Sequence, residues 1–282
     1  MPLRPAARVD VLDLLVQERA EFVGLLRSLD DEAAATATAC EGWTVKDLSG
    51  HLLGGDLFFL ARNRDGFEGP DPVSWPGDWA AFVAQLDDHN ERWVTTGRSF
   101  SLTLLCELLE FTGGLTSDFY AAVAPDAPGE VVSWVGPDPA PWWLVAARDF
   151  TERWIHHQQI RDALERPGLN GPSFVRPVLA AMMHGVPPSY AGIEAEEGTT
   201  VAIDVSGRAG FSWAVRRDSE TWNLYEGMSR DAAARVTLDQ ESAWRFLSRN
   251  LSAAAARKAA ELEGPKKLTA PFFEAVAVIV NR

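Results

Sequence analysis

The hydrophobic period of this 282-residue chain changes once, at residues 166–172 (Arg-Pro-Gly-Leu-Asn-Gly-Pro), and the change dictates two differently built halves. Upstream, apolar residues recur at the three-, four- and seven-residue spacings of amphipathic helices; downstream, several segments alternate as half-buried strands do. Proline and glycine at this density continue neither element, so the segment reads as a linker. The expected fold is a helical bundle over residues 1–166 followed by a smaller α+β domain with an antiparallel sheet over residues 167–282. Each part is long enough to bury a core of its own.

Within the first half, Val11, Leu15, Phe22, Leu26 and Leu29 form one stripe of a first helix. A second helix starts at Thr44, which can cap it, with Asp47 three residues on to favour the positive end of the dipole. Leu48, Leu52 and Phe59 share a face of it and His51 lies along the edge. Pro70, Pro72, Pro76 and Gly77 break the pattern, and a third helix should begin near Asp78 with Phe82, Leu86, His89 and Trp93 inward. Residues 99–123 suggest another, with Leu104, Leu108, Phe111 and Leu115 inward. Residues 125–141 read as a loop with an extended piece at 131–134. In the second half, helices are expected at 173–184, 241–250 and 268–280. Strands are expected at 201–205, 211–215, 221–225 and 235–238, the middle two as hairpin arms.

Chemistry concentrates on a helix spanning about residues 142–164. Asp149, Glu152, His156 and Gln159 fall at i, i+3, i+7 and i+10, one continuous polar stripe. Leu144, Val145, Ala147, Phe150, Trp154, Ile155 and Ile160 flank it on both sides, so the helix should be buried and line a polar cavity in the bundle. Residues four apart on a helix stack with Cβ atoms about 5–6 Å apart, so Glu152 and His156 can reach one point. With His51 they make two imidazoles and a carboxylate, a catalytic zinc set that leaves the fourth tetrahedral position for water or substrate. Plainer readings stand beside this one: a lone histidine on an amphipathic helix usually packs, and a Glu/His pair at this spacing is often a surface hydrogen bond. His157, rotated about 100° from His156, reads as a hydrogen-bonded packing residue, and His89 and His184 as structural. Cys40 and Cys106 have no C-x-x-C spacing, which indicates no disulfide framework. Cys106 among leucines is a small buried hydrophobe, whereas Cys40 sits beside Trp43 and near the His51 helix. Trp43, Trp93, Trp154, Trp213 and Trp222 fit core positions; Trp142 and Trp143 follow the proline-rich loop and are placed to line a pocket mouth.

Residues 41–52, Glu-Gly-Trp-Thr-Val-Lys-Asp-Leu-Ser-Gly-His-Leu, resemble the second-helix signature of the mycothiol-dependent maleylpyruvate isomerase family, a branch of the DinB-like helical bundles. Residues 152–163, Glu-Arg-Trp-Ile-His-His-Gln-Gln-Ile-Arg-Asp-Ala, resemble the same family's Glu-x-x-x-His helix. The resemblance implies a DinB-like four-helix bundle in which His51, Glu152 and His156 bind a divalent metal, usually zinc, with mycothiol as thiol cosubstrate. It also implies a sterol-carrier-like C-terminal domain, on a patchier likeness. Residues 244–249 resemble the region where the family places an essential arginine after a glycine; here Ser248 replaces the glycine, and the role falls on Arg249. A guanidinium there could bind a substrate carboxylate bidentately. Many members carry an aspartate where this chain has Gln159. The two departures shift the expectation from maleylpyruvate itself towards a related thiol transfer.

The formal net charge of −14 argues against nucleic acid, whose phosphates need a basic face. No apolar run approaches the ~20 residues that span a bilayer, and the opening Met-Pro-Leu-Arg-Pro lacks a signal-peptide apolar region, so a cytoplasmic protein is expected. The expected function is that of a zinc enzyme that activates a low-molecular-weight thiol for addition to a small electrophile. Retention of the thiol gives S-conjugation; bond rotation and elimination give cis–trans isomerisation. A metal-dependent amide or ester hydrolase with Asp149 or another acid as proton shuttle, and a non-catalytic small-ligand-binding protein, remain as alternatives. Monomer and dimer are both open.

Overall fold

The computed structural model describes residues 2–70, 73 and 78–275. Strand β1 (Arg4–Pro5) precedes α1 (Leu12–Arg27), whose buried positions Leu15, Glu18, Arg19, Phe22, Val23 and Leu26 keep helical spacing. After the single turn α2 (Asp31–Ala34), α3 (Val45–Phe59) opens with the expected reciprocal cap. Thr44 Oγ1 accepts from the Asp47 N–H at 3.2 Å and Asp47 Oδ2 accepts from the Thr44 N–H at 3.0 Å. Past Phe59 the helix widens into a π-helical turn over Leu60–Arg64. Helices α4 (Trp79–Arg98) and α5 (Leu102–Ala122) are capped by the Asp78 and Ser101 side chains. The expected breaks at Pro72, Pro76 and Gly77 lie outside the described residues.

Helix α5 turns inward a different face from the expected stripe of Leu104, Leu108, Phe111 and Leu115. Leu105, Cys106, Leu109, Thr112, Gly113, Thr116 and Tyr120 are buried, whereas Leu104 and Phe111 are exposed at 39% and 65%. Two threonines sit on the inner stripe because a buried ion network needs their hydroxyls. Asp56 accepts from Thr112 Oγ1 at 2.7 Å, Arg19 at 2.9 Å and Arg153 at 2.8 Å. Thr116 Oγ1 takes a second Arg153 contact at 3.1 Å and Arg19 donates to the Leu109 carbonyl at 2.9 Å. Burial would raise the Asp56 carboxyl, but the two guanidinia hold it below the usual carboxylate range.

Strands β2 (Pro128–Val131) and β3 (Pro139–Pro141) form a small antiparallel pair, so the extended piece expected at 131–134 lies three residues earlier. Then come α6 (Trp142–Ala163), α7 (Pro172–Met183) and a 3-10 turn at Pro187–Tyr190. Strands β4 (Thr200–Ser206), β5 (Phe211–Asp218), β6 (Thr221–Glu226) and β7 (Ala234–Asp239) follow. The β5–β6 hairpin is tighter than expected, with Asp218 already opposite Thr221 and Ser219 at φ 53°. They are followed by α8 (Gln240–Leu247), α9 (Ala253–Ala259), β8 (Glu261–Glu263) and α10 (Lys266–Thr269). Helix α9 carried no expectation. The helix expected over 268–280 stops after Thr269: Pro271, which has no N–H, opens a 3-10 turn over Pro271–Glu274. Residues 276–280 of that expectation lie outside the described residues.

The chain folds into two compact units, each assembled from segments distant in sequence. Among the described residues, one gathers 2–11, 126–151 and 169–275; its sheet runs β1-β6-β5-β4-β7-β8. All neighbours are antiparallel except β4 and β7, which pair in parallel with Val201 opposite Ala234. The buried row Val201, Ile203, Trp213, Val215, Leu224 and Val236 gives this unit its core. The other unit holds residues 12–125 and 152–168, with a core of Phe22, Leu26, Leu48, Leu52, Leu53, Leu105, Leu109 and Ile160. A helical part and an α+β part are therefore present, as the expected fold class has it. In the helical unit α3 and α4 cross closely: a Cβ on Gly97 would stand 3.0 Å from the Gly50 backbone, and one on Gly54 only 2.3 Å from Trp93 Cγ.

Candidate metal centre

Helix α3 carries His51 and α6 carries Glu152 and His156, all within the helical unit. The four-residue spacing sets His156 Nε2 3.0 Å from Glu152 Oε1. His51 Nε2 comes within 3.5 Å of the same oxygen. The two imidazoles stand edge to face, centroids 4.9 Å and planes 81° apart. One donor atom from each of the three lies within 4.8 Å of the others. A four-coordinate zinc with bonds of about 2.0–2.2 Å separates adjacent donors by roughly 3.3 Å, so this donor set and its spacing fit such a cation. The imidazoles are largely buried, while the Glu152 side chain is 37% exposed.

Each group is tuned by its neighbours. Burial pushes the His51 imidazole down, and the hydrogen bond to Glu152 does not restore it, so the ring is neutral at pH 7. Burial would also lower His156, but the Glu152 carboxylate outweighs it and pushes His156 up to about 10. Burial would raise Glu152, yet the charge and hydrogen bond of His156, with His51 behind them, hold it well below the usual carboxylate range. An imidazolium at His156 therefore pairs with the Glu152 carboxylate beside a neutral His51.

Further out, His156 Nδ1 lies 2.7 Å from Gln159 Oε1, and the Cys40 thiol donates to the same oxygen at 3.3 Å. With Nδ1 as donor, Nε2 is the nitrogen that faces Glu152 and His51. The Trp43 ring lies against His51, centroids 5.2 Å apart, with its Nε1 donating to Glu91 at 3.3 Å. Asn90 on α4 is close enough to raise the proton affinity of His51, although among the described residues the buried His51 Nδ1 has no hydrogen-bond partner.

Other residues singled out in the sequence fall elsewhere. His157 is fully buried, with Nδ1 2.9 Å from Glu18 and Nε2 accepting from Arg161 at 2.8 Å, the packing role expected of it. His89 stacks on Phe58 at 4.5 Å, and His184 lies against Trp143 at 5.3 Å with its pKa lowered by burial to about 4. Cys106 is buried in the helical core, as expected. Asp149 pairs with Arg148 at 2.7 Å. Arg249 is exposed on the turn after α8, at φ 58°, and belongs with Asp149 to the sheet-bearing unit rather than to the unit of the triad. Sequence reasoning missed the Cys40–Gln159 contact and the Asp56 network. The only available signal for the first was the closeness of Cys40 to Trp43 and to the His51 helix.

The family profile described as mycothiol maleylpyruvate isomerase N-terminal domain matches residues 15–161, a span that includes all three donors. No curated protein matches the sequence. Among solved structures, that of a mycothiol-dependent maleylpyruvate isomerase aligns at TM-score 0.50 and 14% identity, covering 83% of this chain and 86% of that one. A histidine-to-alanine mutant of a mycothiol-dependent maleylpyruvate isomerase aligns at TM-score 0.50 and 14% identity, covering 90% and 93%. At this identity the likeness is one of fold.

Proposed function

Because this chain belongs to the family of the mycothiol maleylpyruvate isomerase N-terminal domain, we propose that it is a metal-dependent enzyme that activates a low-molecular-weight thiol, mycothiol, for attack on a small electrophile. The observation that carries this reading is the convergence of His51, Glu152 and His156 on one point. These residues would hold a divalent cation, zinc by the chemistry of the donors, and three protein donors favour catalysis over a purely structural metal. When bound, the cation would lower the pKa of a thiol at the open position and keep it as the nucleophilic thiolate at neutral pH.

The chain's own groups supply the rest. Glu152 contributes the negative charge among the donors, and Gln159 fixes His156 so that Nε2 faces inward. Thiol and electrophile would approach along the partly exposed Glu152 side chain. The thiolate forms a C–S bond to a carbon conjugated with a carbonyl, and the displaced π electrons move to the carbonyl oxygen. Rotation followed by C–S cleavage returns the thiolate and the isomerised double bond; protonation instead leaves the S-conjugate. Arg249 is assigned to the substrate carboxylate in this reading.

Protein purified without chelator should contain close to one divalent metal per chain, and His51→Ala and Glu152→Ala should each lose most of it. Full metal content in both variants would end the assignment. Turnover of maleylpyruvate or related electrophiles should require added thiol; equal turnover without thiol would refute the thiol-activating role.

A further inference from the structure

The turn that leads into α3 touches both histidines, and it does so by two separate routes. Trp43 lays its ring on His51, and Cys40 reaches His156 through Gln159. The turn is itself well tied. Thr38 N–H donates to the Trp43 carbonyl at 3.0 Å, Trp43 N–H to the Cys40 carbonyl at 3.0 Å, and Cys40 N–H to Thr38 Oγ1 at 3.2 Å. Gly42 takes φ 79°, which lets the chain reverse. Ala37 bridges to Thr44, and Cys40 and Trp43 both pack against the helical core. The Cys40 side chain is therefore presented to Gln159 from a fixed base.

Gln159 has two chemically different ends on one short fork. Its oxygen accepts, its nitrogen donates, and rotation by half a turn exchanges them. His156 Nδ1–H needs the oxygen; facing the nitrogen, it would oppose two donors. Gln159 is almost fully buried, 6% exposed, so water does not repair a wrong orientation. A second donor aimed at the same oxygen selects the productive orientation in advance, and the Cys40 thiol is that donor. We infer that Cys40 is a positioning residue for the metal centre: its S–H, donated to Gln159 Oε1, holds the amide oxygen towards His156 Nδ1 and so keeps His156 Nε2 aimed at the cation. The inference rests on the metal-centre reading above and extends it by one residue that touches neither cation nor substrate.

The test compares Cys40→Ser, Cys40→Ala, Gln159→Glu and the double variant Cys40→Ala/Gln159→Glu. Zinc affinity is measured by competition with a chromophoric chelator, and the His156 Nδ1 proton is followed by 15N-edited NMR in the metal-free protein. Cys40→Ala should weaken zinc binding by about 3- to 10-fold, the size of one neutral hydrogen bond, and shift or broaden the Nδ1 proton signal. Cys40→Ser, which keeps a donor, should stay close to wild type. A carboxylate at 159 accepts with either oxygen, so the double variant should bind as Gln159→Glu alone does. Unchanged affinity and an unmoved signal in Cys40→Ala overturn the inference. So does a loss as large in the Gln159→Glu background, or an equal loss in Cys40→Ser, since either would make Cys40 a packing residue only. Wild-type protein that holds no zinc defeats the metal-centre reading instead. The NMR comparison then still decides whether Cys40 orients Gln159.

Discussion

Loading the centre with zinc should expel about one proton per site near neutral pH. The quantity follows from the metal-free triad: His51 is neutral, Glu152 is ionised, and His156 is pushed up to about 10 by Glu152 despite its burial. The proton on His156 Nε2 must leave before that nitrogen can bind a cation, so the apparent dissociation constant carries a factor that falls tenfold per pH unit below the His156 pKa. Between pH 7 and 9 affinity should tighten by about 100-fold. A histidine with its ordinary pKa of about 6.5 would give less than about a twofold change over that interval. Titration calorimetry in buffers of different ionisation enthalpy counts the protons, and chelator competition at fixed ionic strength gives the slope. Release of no proton, or an affinity flat above pH 7, would refute the coupling between Glu152 and His156.

The same shift has a stability sign. His156 binds its proton more tightly folded than unfolded, so its contribution in the metal-free protein is complete below about 6.5 and is lost as pH rises through about 10; the urea midpoint should fall over that window, and a midpoint that rose would contradict it. Asp56→Ala strands the Arg19 and Arg153 guanidinia in the bundle and should destabilise it by ~3–5 kcal/mol, read as a lowered denaturation midpoint; a loss below ~1 kcal/mol would mean the network is not buried as described. Gly54→Ala places a Cβ 2.3 Å from Trp93 Cγ, so one of the two must move. The expected overpacking cost is ~1–3 kcal/mol, with a neutral variant counting against the tight α3–α4 crossing. Arg249→Gly relieves a left-handed backbone, φ 58°, at the end of α8 and should raise the thermal midpoint by up to ~1 kcal/mol in stability. If Arg249 also anchors a substrate carboxylate, this more stable variant should lose turnover, a combination that pure folding effects do not produce.

The parts of the molecule legible in the sequence are those fixed by near neighbours. Thr44 and Asp47 announce the start of α3 because a cap is a three-residue affair, and Glu152 and His156 meet because the helix alone brings them together. The alternating strands and the hairpin declare themselves in the same way. What was not legible depends on distant partners. The apolar spacing of Leu104, Leu108, Phe111 and Leu115 points to one face of α5, yet the face bearing Thr112 and Thr116 turns inward because Asp56 and Arg153, far along the chain, require hydroxyls. The parallel pairing of β7 with β4 and the attachment of β1 to β6 likewise carry no local signal. Gln159 was legible as a member of the polar stripe, but its oxygen is shared with Cys40 across 119 residues.

One carboxylate, Asp56, joins α1, α3, α5 and α6 through Arg19, Thr112 and Arg153. It stands on the same helix as His51, and its partner Arg153 is the immediate neighbour of Glu152. Sliding α6 along α3 by one turn would displace both pairs together, so a pin that needs no cation sets the height at which the three donors face each other. The pin gathers the three groups by itself, so if they hold an ion, its removal by a chelator should be reversible without refolding.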